Sequence, residues 1–200
     1  MGYNDTEWTP DAQTKAGAST TSKVIYEYKY VHFGTTSGES AGFNTGYHEA
    51  LTYDSANYAV GANNPHFGND PDPATTFTAL AATNGARSSD LIPCLWYVPD
   101  NITIDAVYSL EGADASATDT TRMHLMSYDF TSNSASILSS GTLLAHSADI
   151  TNAGETKGYS ATWTVDSASV AAGKVVVATF ESDSTGSDYS INVTVKYHLS

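Results

Sequence analysis

The chain has 200 residues, of which 22 are acidic and 8 are basic, so its formal net charge is −14 at pH 7. Nucleic acids and anionic membrane surfaces attract clustered lysine and arginine, and this charge balance therefore argues against both as partners. With 40% apolar residues, the chain is long enough for one sandwich domain with its own core and an additional arm.

The first 22 residues are polar and contain only two aromatic anchors, Tyr3 and Trp8. This composition cannot bury enough apolar surface to fold alone, so we expect residues 1–22 to form an extended N-terminal arm. The arm could pack onto its own domain or dock on a neighbouring subunit, and we predict the second. The opening residues MGYNDTEW lack the basic and apolar regions of a secretory signal, and no apolar run of 18 residues indicates a membrane span.

Residues 23–200 are expected to form a single β-sandwich domain whose first strand spans residues 24–33. Its two faces alternate with a period of two: Val24, Tyr26, Tyr28 and Tyr30 lie on one, and Glu27 and Lys29 lie on the other. A tyrosine stripe is usually a core or sheet face with its hydroxyls at the rim. The alternative is a subunit interface or a glycan platform, because tyrosine combines a large apolar ring with a polar tip.

Residues 34–90 are rich in turn-forming residues and contain only two short candidate strands, at 47–53 and 75–80. Such long loops are uncommon in a compact domain unless they contact a partner, so we expect the functional loops here. Asp70 and Asp72 lie in a stiff proline-rich run that a calcium ion would accept, although acidic turns are usually only solvated.

The most apolar stretch is residues 91–110, which Pro99 and the two residues after it divide into two predicted strands. Residues 92–98 are apolar on both faces, which is typical of an inner strand or of one covered by another chain. The single cysteine, Cys94, lies there and should behave as a small buried hydrophobe. In the second strand one face is predicted to carry Ile102, Ile104, Ala106, Tyr108 and Leu110, and the other Thr103, Asp105 and Ser109.

Five more strands are predicted at residues 122–130, 136–146, 159–165, 173–180 and 188–199, with a single helical turn at 167–172. The last strand has the clearest alternation, and its inward face should contain Tyr189, Ile191, Val193, Val195, Tyr197 and Leu199. Short strands separated by turn residues favour an all-β fold, an antiparallel β-sandwich of jelly-roll type.

No motif indicates catalysis. The histidines lie in separate segments without metal-ligand spacing, although a jelly roll could assemble a metal-dependent oxygenase site from separate strands: they are His32, His48, His66, His124, His146 and His198. A second acidic loop with Glu181, Asp183 and Asp188 does not match a calcium-binding loop. No serine lies in a nucleophile elbow. We therefore assign no catalytic, cofactor-binding or metal-ligating residue, and we expect a protein that is not an enzyme.

From residue 92 to the C-terminus the sequence resembles a group of structural proteins of marine tailed phages, many from cyanophage-type viruses. The resemblance is carried by IPCLWYVPDNITIDAVYSLEGAD, TTRMHLMSYDF, SGTLLAHS, ATWTVDSASVAAGKVVVATFESD and DYSINVTVKYHL. It implies a virion component with a jelly-roll-like sandwich, displayed as a capsid decoration protein or as the head of a fibre. Such proteins are commonly trimers, and the family offers no catalytic residues.

The leading hypothesis is a capsid decoration (cement) protein on the outer surface of a tailed phage, assembled in the host cytoplasm and bound to the major capsid protein or other virion proteins. The alternative is a receptor- or glycan-binding head of a tail fibre, with a host-surface glycan as partner, and a third candidate is a carbohydrate-active enzyme. We expect a homotrimer, because something has to cover the surplus apolar surface of residues 92–98.

Overall fold

The computed structural model describes residues 27–37, 48–54, 59–60, 66–67, 91–113, 120–130, 138–183 and 189–200. The predicted arm at 1–22, the candidate strand at 75–80 and the acidic run with Asp70 and Asp72 lie outside these residues. Most of the expected loop region at 34–90 lies outside them as well.

The first of two sheets has the order β11–β7–β15–β1–β3. Its strands are Lys29–Ser37 (β1), Thr52–Tyr53 (β3), Ile102–Ala113 (β7), Gly158–Tyr159 (β11) and Tyr189–Leu199 (β15). Two further short strands join this sheet: Ala59–Val60 (β4) pairs with β1, and Ser169–Val170 (β13) pairs with β7. All of these pairings are antiparallel except that of β4 with β1.

The second sheet has the order β12–β9–β8–β14–β2–β5. Its strands are His48–Ala50 (β2), His66–Phe67 (β5), Thr120–Asp129 (β8), Thr142–Ser147 (β9), Trp163–Val165 (β12) and Lys174–Ser182 (β14). Trp96–Tyr97 (β6) pairs with β14, and Ile150–Thr151 (β10) pairs with β8. The chain therefore crosses between the two sheets many times after β7.

The predicted antiparallel β-sandwich is confirmed, and its main core lies between the sheets. Val193 and Val195 of β15 face Val176 and Phe180 of β14 across this core, and all four are fully buried. The last strand has the predicted inward face from Tyr189 to Tyr197, whereas Leu199 at its end is exposed. The strands β8 and β14 are buried on both faces, because a second apolar cluster covers the outside of the second sheet: Ala50, Leu91, Cys94, Met126, Tyr128, Leu138, Val175 and Val177.

In the first strand the tyrosines lie on the outside. Val31 and Phe33 point into the core, so Tyr28 and Tyr30, which are separated from them by odd numbers of positions, lie on the opposite face and are about half exposed. The interpretation of the stripe as a core face is therefore wrong for these two residues. They form an open sheet face instead.

A β-bulge in β7 overturns the predicted faces of that strand. Lys196 pairs with Ala106 whereas Tyr197 pairs with Ile104, which leaves Asp105 as an extra residue on β7. Because side chains alternate with a period of two, one extra residue moves everything after it to the other face. Tyr108 and Leu110 are therefore 54% and 63% exposed, contrary to the prediction, while Val107, Ser109 and Glu111 point inward.

The predicted inner strand at residues 92–98 is also wrong. Ile92–Cys94 form a 3₁₀ turn that begins around a proline, and only the two residues of β6 are extended. Cys94 packs in the second apolar cluster and Trp96 in the main core, so the chain itself covers both. Tyr97 and Ile92 remain half exposed. Cys94 and Trp96 therefore need no second subunit to cover them.

Three smaller predictions also change. The helical turn expected at 167–172 contains β13 instead, and the strand expected at 159–165 divides into β11 and β12, which belong to different sheets. Of the strand expected at 136–146, only the part from Thr142 onward is extended among the described residues. The candidate strand at 47–53 is present from residue 48 as β2 and β3, which also belong to different sheets. No helix in the described ranges is long and apolar enough to cross a membrane.

Candidate functional site

The open outer face of the first sheet carries most of the exposed aromatic surface that the structure describes. Three strands lie side by side across it, with β15 in the middle, β1 on one side and β7 on the other. The register places Tyr30 beside Lys196. Further along β15, Thr194 lies between His32 and Tyr108, and Asn192 lies between Gly34 and Leu110. A polar middle strand thus runs between two strands with larger apolar side chains.

At one end of this face, aromatic side chains surround an opening between the two sheets. Trp96 stacks on Tyr53 with ring centroids 6.5 Å apart and packs against Tyr197 at 5.0 Å. These three rings help to line a groove of about 440 Å³. Tyr97 and Leu199, each about half exposed, also line it. We call the six residues Tyr28, Tyr53, Trp96, Tyr97, Tyr197 and Leu199 the aromatic end.

The phenols of the aromatic end are neutral, and its groove also has one basic and one acidic residue in its lining, Lys29 and Asp100. Burial raises the pKa of Tyr197, and burial followed by the charge of Asp54 raises the pKa of Tyr53, so both phenols stay neutral at physiological pH. The ammonium of Lys196 lies 3.7 Å from the ring centre of Tyr28, a cation–π contact. This end therefore presents mainly aromatic surface, beside the charged residues Lys29 and Asp100.

The opposite end of the same face holds a groove of about 560 Å³ with polar and apolar walls. We call it the polar groove, and the residues that matter in it are His32, Gly34, Asp54, Leu110, Ser190 and Asn192. Its floor is low because Gly34 has no side chain, and a Cβ at this position would come within 2.9 Å of the Ile191 carbonyl oxygen. Leu110 stands on one side, and His32 and Asp54 stand on the other.

A chain of hydrogen bonds orders the polar groups along this groove. Thr194 donates its hydroxyl proton to Asn192 Oδ1 at 3.3 Å, and His32 Nδ1 lies 3.0 Å from the same hydroxyl oxygen. Because the threonine has only one proton to give, His32 Nδ1–H must be the donor of the second bond. The neutral imidazole then keeps Nε2 as an acceptor, and Asn192 keeps its amide NH₂ as a donor.

A second polar cluster lies on the outside of the second sheet and is largely buried. The rings of His48 and His124 stack with centroids 4.2 Å apart, although the two residues are far apart in sequence. His48 Nδ1 lies 3.0 Å from the Thr179 hydroxyl, and its Nε2 lies 3.2 Å from a carboxylate oxygen of Glu181. Arg122 contacts the same oxygen at 3.6 Å. Glu181 makes these contacts from within the strand β14, so it is not part of the acidic loop that the sequence pattern predicted.

The remaining candidate residues are dispersed. His146 lies 2.7 Å from Asp166, and His198 lies 2.9 Å from Asp105. Asp183 accepts a hydrogen bond from the Thr120 backbone, and Asp188 and the His66 side chain are outside what the structure describes. Across the described residues, no three histidine, cysteine or acidic side chains come together as metal ligands.

The sequence predicted neither the stacked histidines nor the polar groove, because both depend on which strands pair with each other. The stacked histidines come from β2 and β8, which both flank β14, and neither strand's sequence indicates the other. The polar groove depends on Leu110 pointing outward, which the bulge at Asp105 decides. Comparison of the sequence with models of known families and with curated proteins gave no match.

Proposed function

We propose that this protein is a structural component of a tailed-phage virion, a trimeric decoration protein on the outer surface of the capsid, and that the aromatic end is its contact surface. The sequence resemblance from residue 92 onward supports the class of protein. The observation that carries the contact surface is the aromatic-lined groove with half-exposed Tyr97 and Leu199 in its wall. Tyr28, also half exposed, directly precedes the groove residue Lys29. Exposed apolar patches of this kind mark interaction sites, and tyrosine is enriched in interfaces.

The position of the aromatic end also suits an assembly role. Lys29, the first residue of β1, lines the groove, and the half-exposed Tyr28 directly precedes it. The charge of −14 per chain opposes association of free copies, and salt screens that repulsion. We therefore expect association to be stronger at moderate salt than at low salt, as it is for an apolar contact between acidic subunits.

Light scattering of the full chain at several concentrations tests the assembly. We expect a mass three times that of the 21.1 kDa chain, and a shift towards smaller species in Tyr97→Ala. Tyr108→Ala is the matched control, because it removes an equally exposed tyrosine outside the aromatic end. A monomer at low and at moderate salt, over the whole concentration range, contradicts the trimer.

The decoration role is tested on intact particles of the virus that encodes the chain. Quantitative mass spectrometry should give a copy number comparable to that of the major capsid protein, and cryo-electron microscopy should place the sandwich on the outer capsid surface. A much smaller copy number, with density on a fibre, supports the fibre-head alternative instead. If the protein is absent from purified particles, both virion roles are wrong.

A further inference from the structure

We infer that the polar groove on the outer face of the first sheet binds a neutral saccharide. The inference rests on the groove alone and does not depend on where the protein is displayed. The groove lies at the Ser190–Asn192 end of β15, whereas Tyr197 and Leu199 of the aromatic end lie at the other end of that strand. The two surfaces approach each other at the end of β3, where Tyr53 belongs to the aromatic end and Asp54 to the polar groove.

The size and shape of the groove suit a small ring-shaped ligand. Its volume of about 560 Å³ lies within the roughly 300–1,000 Å³ range of small-molecule sites. Gly34 lowers the floor on β1, and the Asn192 side chain of β15 stands between it and Leu110 of β7. A flat molecule would therefore lie over Gly34 and contact the side chain of Asn192. Tyr108 precedes Leu110 on the same face of β7 and extends the apolar wall with an exposed ring.

The hydrogen-bonding groups match hydroxyl groups, each of which is both a donor and an acceptor. Asn192 offers its amide NH₂ as a donor, and His32 offers Nε2 as an acceptor, because the bonds to Thr194 fix their other atoms. The carboxylate of Asp54 is a further acceptor, and the Asp54 backbone N–H donates to the His32 carbonyl oxygen at 2.8 Å, which holds the two residues together. Ser190 adds a hydroxyl.

The apolar wall explains why a saccharide fits better than a simple polyol or ion. One face of a pyranose ring presents C–H groups, which pack against apolar carbon and against the electron-rich face of an aromatic ring. Leu110 and Tyr108 provide such surfaces beside the polar groups of β15 and β1. Sugars therefore satisfy both sides of the groove at once.

The charge of the groove selects neutral sugars. The described lining residues include two acidic groups, the exposed Asp54 and the buried Glu111, and no lysine or arginine. The whole chain adds a charge of −14. Sialylated or sulfated sugars would therefore be repelled, whereas the hydroxyls of a neutral hexose can donate to Asp54.

The test uses the labelled full chain on an array of neutral oligosaccharides, with sialylated and sulfated oligosaccharides on the same array. We expect binding to a subset of the neutral probes and none to the anionic ones. The neutral oligosaccharide bound best is then titrated calorimetrically. Asn192→Ala and Tyr108→Ala should each weaken its affinity roughly 2- to 10-fold, the loss of one hydrogen bond or one ring contact.

Thr142→Ala, an exposed change on the second sheet, is the matched control and should leave the affinity unchanged. Asp54→Asn tests the acceptor role without changing the side-chain shape, and it should also weaken binding. In the spectrum of the ¹⁵N-labelled chain, the Asn192 side-chain amide signals should shift on titration. The inference is overturned if no neutral probe binds at millimolar concentration, if only anionic probes bind, or if Asn192→Ala and Tyr108→Ala both bind as the unmodified chain does.

Discussion

The Thr121 hydroxyl lies 2.8 and 3.1 Å from the two carboxylate oxygens of Glu111, and this contact joins the two sheets of the sandwich. Glu111 is on β7 of the first sheet, and Thr121 is on β8 of the second. Burial raises the pKa of Glu111 to about 7, and the hydrogen bond from Thr121 opposes part of that rise. A charged carboxylate is therefore costly inside the fold at neutral pH.

We predict that Glu111 makes the protein less stable as the pH rises from about 4.5 to about 7. The Glu111 carboxyl group loses its proton near pH 4.5 in the unfolded chain but only near pH 7 in the folded protein. The free energy of unfolding therefore decreases over that interval. The difference between the two pKa values corresponds to a decrease of roughly 3 kcal/mol in the free energy of unfolding across the interval. Glu111→Gln should therefore gain stability relative to the unmodified protein as the pH is raised from 4 to 8, measured by chemical denaturation.

Glu155→Gln is the control, since Glu155 is an exposed acidic side chain on the same molecule. Its stability relative to the unmodified protein should vary little with pH. A stability difference for Glu111→Gln that is the same at pH 4 and pH 8 would contradict the raised pKa.

A second bond between the sheets joins Trp163 to Ser109. The indole Nε1 donates to the Ser109 hydroxyl at 2.9 Å, and the serine is almost fully buried. Ser109→Ala leaves the indole N–H without this acceptor, so we expect a loss of roughly 1–3 kcal/mol in the free energy of unfolding. Thr164→Ala, on the neighbouring exposed position, should cost less than half as much. Equal losses in the two variants would show that the bond adds nothing.

We predict that the buried Tyr128 ring requires a glycine at residue 141, because only glycine leaves room for it. A Cβ at this position would overlap the ring atoms Cε1 and Cζ, and the ring itself is almost inaccessible to solvent. Gly141→Ala should therefore displace Tyr128 within the second apolar cluster and destabilise the protein by roughly 1–3 kcal/mol, as overpacking does. Thermal unfolding measures this, with Gly154→Ala as the control because a Cβ there meets only side-chain atoms of Lys157 at 3.7 Å or more. An unchanged melting temperature in Gly141→Ala refutes the prediction.

Val193 tests the inward face of the last strand. The side chain is fully buried in the main core, and Val193→Asp places an unpaired charge there. The expected cost is several kcal/mol against a total stability of roughly 5–15 kcal/mol, so the variant should not fold cooperatively. Asn192→Asp, on the adjacent exposed position, should remain folded. A soluble Val193→Asp variant that melts cooperatively would mean that the strand faces the other way.

The all-β class and the alternation of the longest strand could be read from the sequence, because both follow from local rules. In β15, five apolar side chains from Tyr189 to Tyr197 recur at every second position, and that period alone places Val193 in a core. The same rule identified β8 and β14 within a few residues of their ends. These strands are long and regular, so every second side chain along them points to the same face.

Segments that depend on distant partners could not be read in this way. Residues 92–98 are apolar because Cys94 and Trp96 reach into two different clusters from a 3₁₀ turn and a short strand, not because they form an inner strand. Their hydrophobicity predicts that they are buried, but it does not predict in which secondary structure. The proline at the start of the turn was a local signal of that geometry.

The outer face of the first sheet shows the same division between sequence and tertiary structure. The sequence alone determined that Tyr28 and Tyr30 share one face of a strand, and that Tyr108 and Leu110 share one face of another. Only the pairing of β7 with β15, with Asp105 as the extra residue, decided that Tyr108 and Leu110 point outward beside the polar groove. A β-bulge is an extra residue on one strand relative to the strand that pairs with it. It therefore cannot be recognised from the sequence of one strand alone.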